Sequence, residues 1–161
     1  MRVKMIVDED FVNYKIPSMF IATCQCDWKC CKDAGQDISM CQNAVTAKQP
    51  DIVLPDEEIF RRYISNPITR AVVIGGLEPM LQADEVFELI CYFRFRGCQD
   101  DFVIYTGYTK DELADYLPFF SNSFTNIIFK FGRFIPGQAS HFDPVLGVNL
   151  ASENQFAERL M

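Results

Sequence analysis

The chain has 161 residues, nearly half of them apolar, with 15 phenylalanines and a formal net charge of −7. This length suits one domain with a sizeable core, and the composition excludes a disordered chain. The acidic balance and the lack of a basic patch exclude a nucleic-acid partner. The absence of any apolar run near the ~20 residues of a span excludes a membrane one.

The charged start, with Arg2, Lys4, Asp8, Glu9 and Asp10, is not a targeting segment, so a cytoplasmic protein with reduced thiols is expected. Residues Met19 to Thr23 read as a buried strand that delivers residues 24–50 as a loop. Pro55 followed by three acids starts a helix, with Ile59, Phe60, Tyr63 and Ile64 on one face. Ala71 to Ile74 is a second buried strand, running into Gly75-Gly76. Asp84 to Phe95 is the next helix, ended by Gly97. Cys91 is expected to fill its inner face as a small hydrophobe. Arg61, Arg62, Arg94 and Arg96 read as solvated helix faces. Phe102 to Tyr105 is a third strand. Thr109 and Glu112 predict a capping box for a helix reaching Tyr116. Ile127 to Phe131 is a fourth strand, Val145 to Leu150 a candidate fifth, and a short helix is expected after Ser152.

Strands alternating with helices predict a parallel sheet. The chain is too short for a full eight-fold barrel of about 250 residues, so a single-domain α/β fold of the partial, open β/α barrel kind is expected. Ligands of such sheets bind at the C-terminal strand ends. The cysteine loop, the Gly-Gly turn, Thr106-Gly107-Tyr108 and Phe131-Gly132-Arg133-Phe134 all fall there.

Seven cysteines are present, five of them at Cys24, Cys26, Cys30, Cys31 and Cys41. Clustered cysteines in a reducing compartment point to metal or catalysis rather than disulfides. Thiolates hold iron–sulfur clusters, whereas zinc favours paired C-x2-C spacings and histidine. The chain has no such pair and a single histidine, His141, which reads as a surface or core-edge residue. Zinc remains an alternative ligand of the cysteine loop. Gly75-Gly76 lets a backbone approach a ligand closely. Glu78, a carboxylate at a strand end, can pair with a ligand's ammonium.

Several segments, in order along the chain, resemble the activating proteins of anaerobic (class III) ribonucleotide reductase, of the radical-SAM superfamily. These are DFVN at 10–13, MFIATC at 19–24, GGLEPMLQ at 75–82, DFVIYTGYTKDEL at 101–113, NIIFKFGRFI at 126–135 and ASENQ at 151–155. TGY is the most specific of them. The resemblance implies a partial barrel of the radical-SAM type over residues 1–161, with a cluster loop at about 24–43. It also implies a [4Fe–4S] cluster that cleaves S-adenosylmethionine and makes a glycyl radical on a partner ribonucleotide reductase. A flavodoxin-like protein would supply the electron.

The family spaces its cluster cysteines C-x3-C-x2-C before an aromatic and Asn. Here Cys26 and Cys30 keep the first gap, position 33 is Asp33, and Cys41-Gln42-Asn43 resembles the end of the motif. The implied ligands are Cys26, Cys30 and Cys41, with Cys24 and Cys31 as alternates. Leu77 is an extra residue inside the family's GG(E/D)P motif. Gly75, Gly76 and Glu78 would grip the methionine ammonium, and Tyr105, Thr106 and Gly107 would line the cofactor pocket. The family's late Asp is replaced by Lys130, and no role is implied for that loop. Two other functions stay open: activation of a different glycyl-radical enzyme, and a cluster- or zinc-binding protein that has lost SAM cleavage.

Overall fold

Apolar runs of five residues, too short for a stable helix and rich in Val, Ile and Phe, become the centre of a sheet. The computed structural model describes residues 1–161. Its strands are β1 (Arg2–Val3), β2 (Met5–Asp10), β3 (Ser18–Ala22), β4 (Ile52–Val53), β5 (Ala71–Gly75), β6 (Asp101–Tyr105), β7 (Ile127–Phe131), β8 (His141–Asp143), β9 (Val148–Leu150) and β10 (Phe156–Arg159). Its helices are α1 (Lys29–Asp33), α2 (Ala44–Ala47), α3 (Asp56–Ser65), α4 (Ala83–Phe95) and α5 (Leu117–Ser123).

The main sheet has six strands in the order β10-β7-β6-β5-β3-β2. β3, β5, β6 and β7 run parallel, and each edge strand is antiparallel to its neighbour. Spatial order follows chain order across the parallel strands, so the winding never reverses. The helices α3, α4 and α5 feed a single hydrophobic cluster of 21 buried residues on one face, with Met19, Ile74, Phe102, Ile104 and Phe129 beneath them. The opposite face carries the other alternate row, Ala71, Val73, Val103 and Ile128, covered by Tyr14 and by Leu146 and Leu150. Helices therefore guard one side, while loops and the β8–β9 hairpin cover the other.

The helices follow from their sequence. Asp56, Glu57 and Glu58 fill the first turn of α3, and Arg62 its last, matching the helix dipole at both ends. On α4, Val86, Leu89, Ile90 and Phe93 are buried, at the three- and four-residue spacing of a single helical face. Phe93 is fully buried and meets Phe60 and Phe102 edge-on, at centroid distances of 5.0 and 5.1 Å. Phe93→Ala is expected to cost about 3–5 kcal/mol, read as a lower midpoint in urea unfolding with an unchanged slope.

Four expectations need correction. Cys91 is exposed: with Ile90 and Phe93 turned inward, the residue after Ile90 is rotated about 100° away from the core. The region after Ser152 forms strand β10 rather than a helix. Phe156–Arg159 pairs with Arg159↔Ile128 through Phe156↔Phe131, and so satisfies the otherwise open edge of β7. Val148–Leu150 pairs with His141–Asp143 in a separate two-stranded sheet, outside the main one. The Thr109–Glu112 capping box forms in both directions, at 2.9 and 3.3 Å, but it opens only a 3-10 turn over Asp111–Leu113. The longer helix α5 begins later, with Pro118 in its first turn. No helix is long and apolar enough to cross a membrane.

Candidate metal centre

β3 ends at Ala22, and Thr23 ties the departing chain to the next strand. Its N–H and its hydroxyl both donate to Gly75 O, at 3.0 and 3.2 Å. The Glu78 N–H donates to Gln25 O at 2.7 Å. The Gln82 side chain accepts from Cys24 N and donates to Arg2 O. The cysteine loop thus leaves the sheet fastened to the Gly75–Gln82 turn. Gly76 has φ +78°, and a Cβ there would stand 2.9 Å from Ala22 Cβ. Glycine is required at this position for the two strand ends to approach.

Trp28 turns the loop with φ +59°, and its N–H points at Cys26 Sγ, 3.4 Å away. α1 then carries Cys30 and Cys31, whose sulfurs are 4.0 Å apart. The Asn43 N–H points at Cys41 Sγ, also at 3.4 Å. Burial pushes the Cys26 thiol up to about 11, and Cys41 is among the charges that raise it further. Burial pushes Cys30 up to about 12, with Cys31, Cys41 and Cys26 adding to the rise. Cys26, Cys30 and Cys41 therefore lie within electrostatic reach of one another. Cys24 does not share that neighbourhood. Burial and Asp51 raise its thiol to about 11, while Lys4 and Arg2 pull it down, on the side of the loop where Lys4 pairs with Asp51 at 2.6 Å.

No three His, Cys, Asp or Glu side chains converge on a point that could hold one metal ion. A tetrahedral zinc, with Zn–S near 2.3 Å, needs thiolates only about 3.8 Å apart. A four-iron cluster binds each thiolate at a different iron, so its ligands surround a larger body and need not converge. Three half-buried thiols on one loop that do not converge on a point fit a cluster better than a single ion.

Glu78 closes the site. It is 6% exposed, and its carboxylate accepts from Thr106 Oγ1 at 2.7 Å, Gly107 N at 2.8 Å and Met80 N at 3.0 Å. Burial raises its pKa and these three hydrogen bonds pull it back, leaving it above its ordinary value. Its Oε2 accepts only from Gly107, which leaves room for one more donor. Leu77 is buried beside it. Tyr105 donates to Asn13 O at 2.5 Å, on the sheet face opposite the helices. The structure therefore brings Gly75, Gly76, Glu78, Thr106 and Gly107 together at one strand-end cluster, and Tyr105 stands at the last position of β6 beside it.

One feature of the site was not anticipated. Tyr108 donates to Asp27 Oδ2 at 2.8 Å, under Lys29 at 4.8 Å and Arg133 at 5.6 Å from the ring centre. Arg133 pairs with Glu112 at 2.6 Å and with Asp33 at 3.5 Å, and Lys29 reaches Glu112 at 3.3 Å. This network bolts the cysteine loop to the loops after β6 and β7. The Arg133 hydrogen bond holds Glu112 down at about 2. A depressed carboxylate contributes stability above its unfolded pKa, near 4.3, and loses it as pH falls toward the folded value. The stability gap between wild type and Glu112→Gln should thus be constant above about pH 5 and close by about pH 2. Because Glu112 is exposed, the gap is expected to stay under about 1 kcal/mol. Thermal melts across that pH range check it.

A loop of gathered thiols at the C-terminal end of a parallel sheet defines an iron–sulfur protein. Residues 16–133 match the family described as the 4Fe-4S single cluster domain, and the chain belongs to that family. No curated protein matches the chain, and no solved structure does.

Proposed function

We propose that this iron–sulfur protein is a radical-SAM activating enzyme for an anaerobic ribonucleotide reductase or a similar glycyl-radical enzyme. Cys26, Cys30 and Cys41 are its three cluster ligands, and a flavodoxin-like donor supplies its electron. Such a cluster, with one iron free for S-adenosylmethionine, would pass that electron to the sulfonium, so that the S–C5′ bond breaks to give methionine and a 5′-deoxyadenosyl radical able to take hydrogen from a glycine. The observation that carries the reading is the position of Glu78. It is a buried carboxylate, oriented by Thr106 and Gly107 and bonded through its own N–H to Gln25 of the cysteine loop.

The protein's part is to bind and orient. Glu78 offers a fixed negative acceptor to the methionine ammonium. Gly75 and Gly76 keep the strand ends bare of side chains. The Tyr108–Asp27–Arg133 network holds the loop so that the cysteines keep their places. The one-way winding of the sheet, with all three long helices on one face, supports an open partial barrel. The glycine loop of a partner protein would enter at the carboxyl ends of the strands, where the cysteine loop and Glu78 lie.

A second reading has an observation of its own. The Glu78 carboxylate already has three donors and Leu77 is packed beside it, which suits a cluster-binding protein without SAM cleavage. Anaerobic incubation of the reconstituted, reduced protein with S-adenosylmethionine separates the two. Release of 5′-deoxyadenosine and methionine supports the enzyme. A reduced cluster that leaves the cofactor intact supports the binding protein. A glycyl radical formed on an added reductase then identifies the target.

A further inference from the structure

Asp27 stands inside the short segment that joins Cys26 to Cys30, directly after Cys26 in the chain. It is half-buried, and both of its oxygens are held. Oδ1 accepts from Lys29 N at 3.1 Å, which makes the turn into α1, and Oδ2 accepts from the Tyr108 hydroxyl at 2.8 Å. Tyr108 is itself fixed from behind. Its N–H donates to Thr106 Oγ1 and its carbonyl accepts from Gly132 N, each at 3.0 Å. Both donors to Asp27 are neutral, and Asp27 takes part in none of the chain's ion pairs. The cations over the Tyr108 ring are engaged elsewhere: Lys29 and Arg133 share Glu112, at 3.3 and 2.6 Å, and Arg133 also meets Asp33 at 3.5 Å. The carboxylate of Asp27 is therefore a pinned negative charge that no ion pair cancels. The turn alone does not call for it, because an asparagine oxygen makes the same turn. An anion beside thiolates that must themselves become negative to bind iron is unfavourable, so its presence there points to a use.

We propose that Asp27 sets the reduction potential of the cluster, its carboxylate held by Tyr108 beside the Cys26 ligand. The potential of an iron–sulfur cluster follows its net charge, its hydrogen bonds and its exposure. Reduction adds one electron and breaks no bond, so a fixed anion next to a ligand opposes it. The cluster becomes harder to reduce and, once reduced, a stronger reductant. Tyr108 is a positioning residue, acting through Asp27. The proposal rests on Cys26 and Cys30 being ligands, as read above, and holds whether or not the protein cleaves S-adenosylmethionine.

The test is a mediated dithionite titration of the anaerobically reconstituted protein, with the reduced cluster counted by electron paramagnetic resonance. Asp27→Asn keeps the turn and can still bond the Tyr108 hydroxyl, so it removes the charge alone. It is expected to load iron and to raise the reduced-to-oxidised ratio at the wild-type midpoint roughly tenfold, an upward shift of about 59 mV for one electron. Tyr108→Phe frees the carboxylate to turn toward water and should move the midpoint the same way by less. Glu9→Gln removes an equal charge from β2 near the start of β3, at the other end of the sheet, and should leave the midpoint in place. An iron-loaded Asp27→Asn whose midpoint is unchanged or lower, or a Glu9→Gln that shifts as far, would overturn the proposal while the ligand reading stands. If Asp27→Asn takes up no iron, Tyr108→Phe decides in its place, and an unchanged midpoint there counts against the proposal. Loss of iron in both variants would make Asp27 a brace of the loop and also overturn it. Wild type that takes up no cluster would overturn the ligand reading itself.

Discussion

Serine at Cys26, Cys30 or Cys41 is expected to abolish cluster retention, taking reconstituted protein from about four irons per chain to near none. Serine at Cys24 is expected to leave it loaded. The physical reason is the division of the loop described above. The thiols of Cys26, Cys30 and Cys41 sense one another, whereas the Cys24 thiol faces Asp51, Lys4 and Arg2. Cys31 is buried on α1, and serine there should also leave the iron in place. Iron and sulfide assays, with the absorbance of the cluster, measure each variant. Retention in Cys30→Ser with loss in Cys31→Ser would move the second ligand by one residue. Retention in Cys41→Ser with loss in Cys24→Ser would assign the loop differently.

The second large effect is at Glu78. Glu78→Ala strips an acceptor from Thr106, Gly107 and Met80 at once. Each buried donor left without a partner costs about 1–3 kcal/mol, so a loss of roughly 3 kcal/mol or more is expected in urea unfolding of the cluster-free chain. Glu78→Gln keeps the shape and one acceptor oxygen. It should cost less stability than alanine, because it also relieves the burial of a charge. In the loaded protein, Glu78→Gln is expected to keep its iron and to bind S-adenosylmethionine at least 10-fold more weakly. A glutamine variant that binds as wild type does would reduce Glu78 to a structural brace between two loops.

Much of this architecture was legible along the chain because the parallel strands are short, apolar and bounded by glycine or charge. β5, β6 and β7 were found within a residue of their ends, as was α4. The edge strands were not legible. β2 reads Met-Ile-Val-Asp-Glu-Asp, half of it acidic, and becomes a strand because β3 offers an open edge. β10 reads Phe-Ala-Glu-Arg, too short to carry a periodic signal, and forms because β7 needs a second neighbour. Tertiary pairing decides such segments, and local propensity does not.

The site divides in the same way. Glu78, Thr106 and Gly107 stood out because they follow strands, and the structure brings them together by hydrogen bonds. Lys130 was noted only as standing where the resembled family has Asp and was given no role, although a lone charge inside Ile-Ile-Phe-Lys-Phe was a signal. A cation in the centre of a buried strand must face something that justifies it. The Tyr108–Asp27–Arg133 network could not be read from the chain at all. Its members come from three loops up to 106 residues apart, since Asp27 and Arg133 flank the same ring.

The central claim is that three cysteines of this loop hold a cluster with one iron open to S-adenosylmethionine. Electron paramagnetic resonance of the reconstituted, dithionite-reduced protein, with and without S-adenosylmethionine, tests it most directly. A reduced [4Fe–4S] signal that changes shape when S-adenosylmethionine is added is the predicted result. A cluster signal indifferent to S-adenosylmethionine, or bound zinc with no cluster, would contradict it.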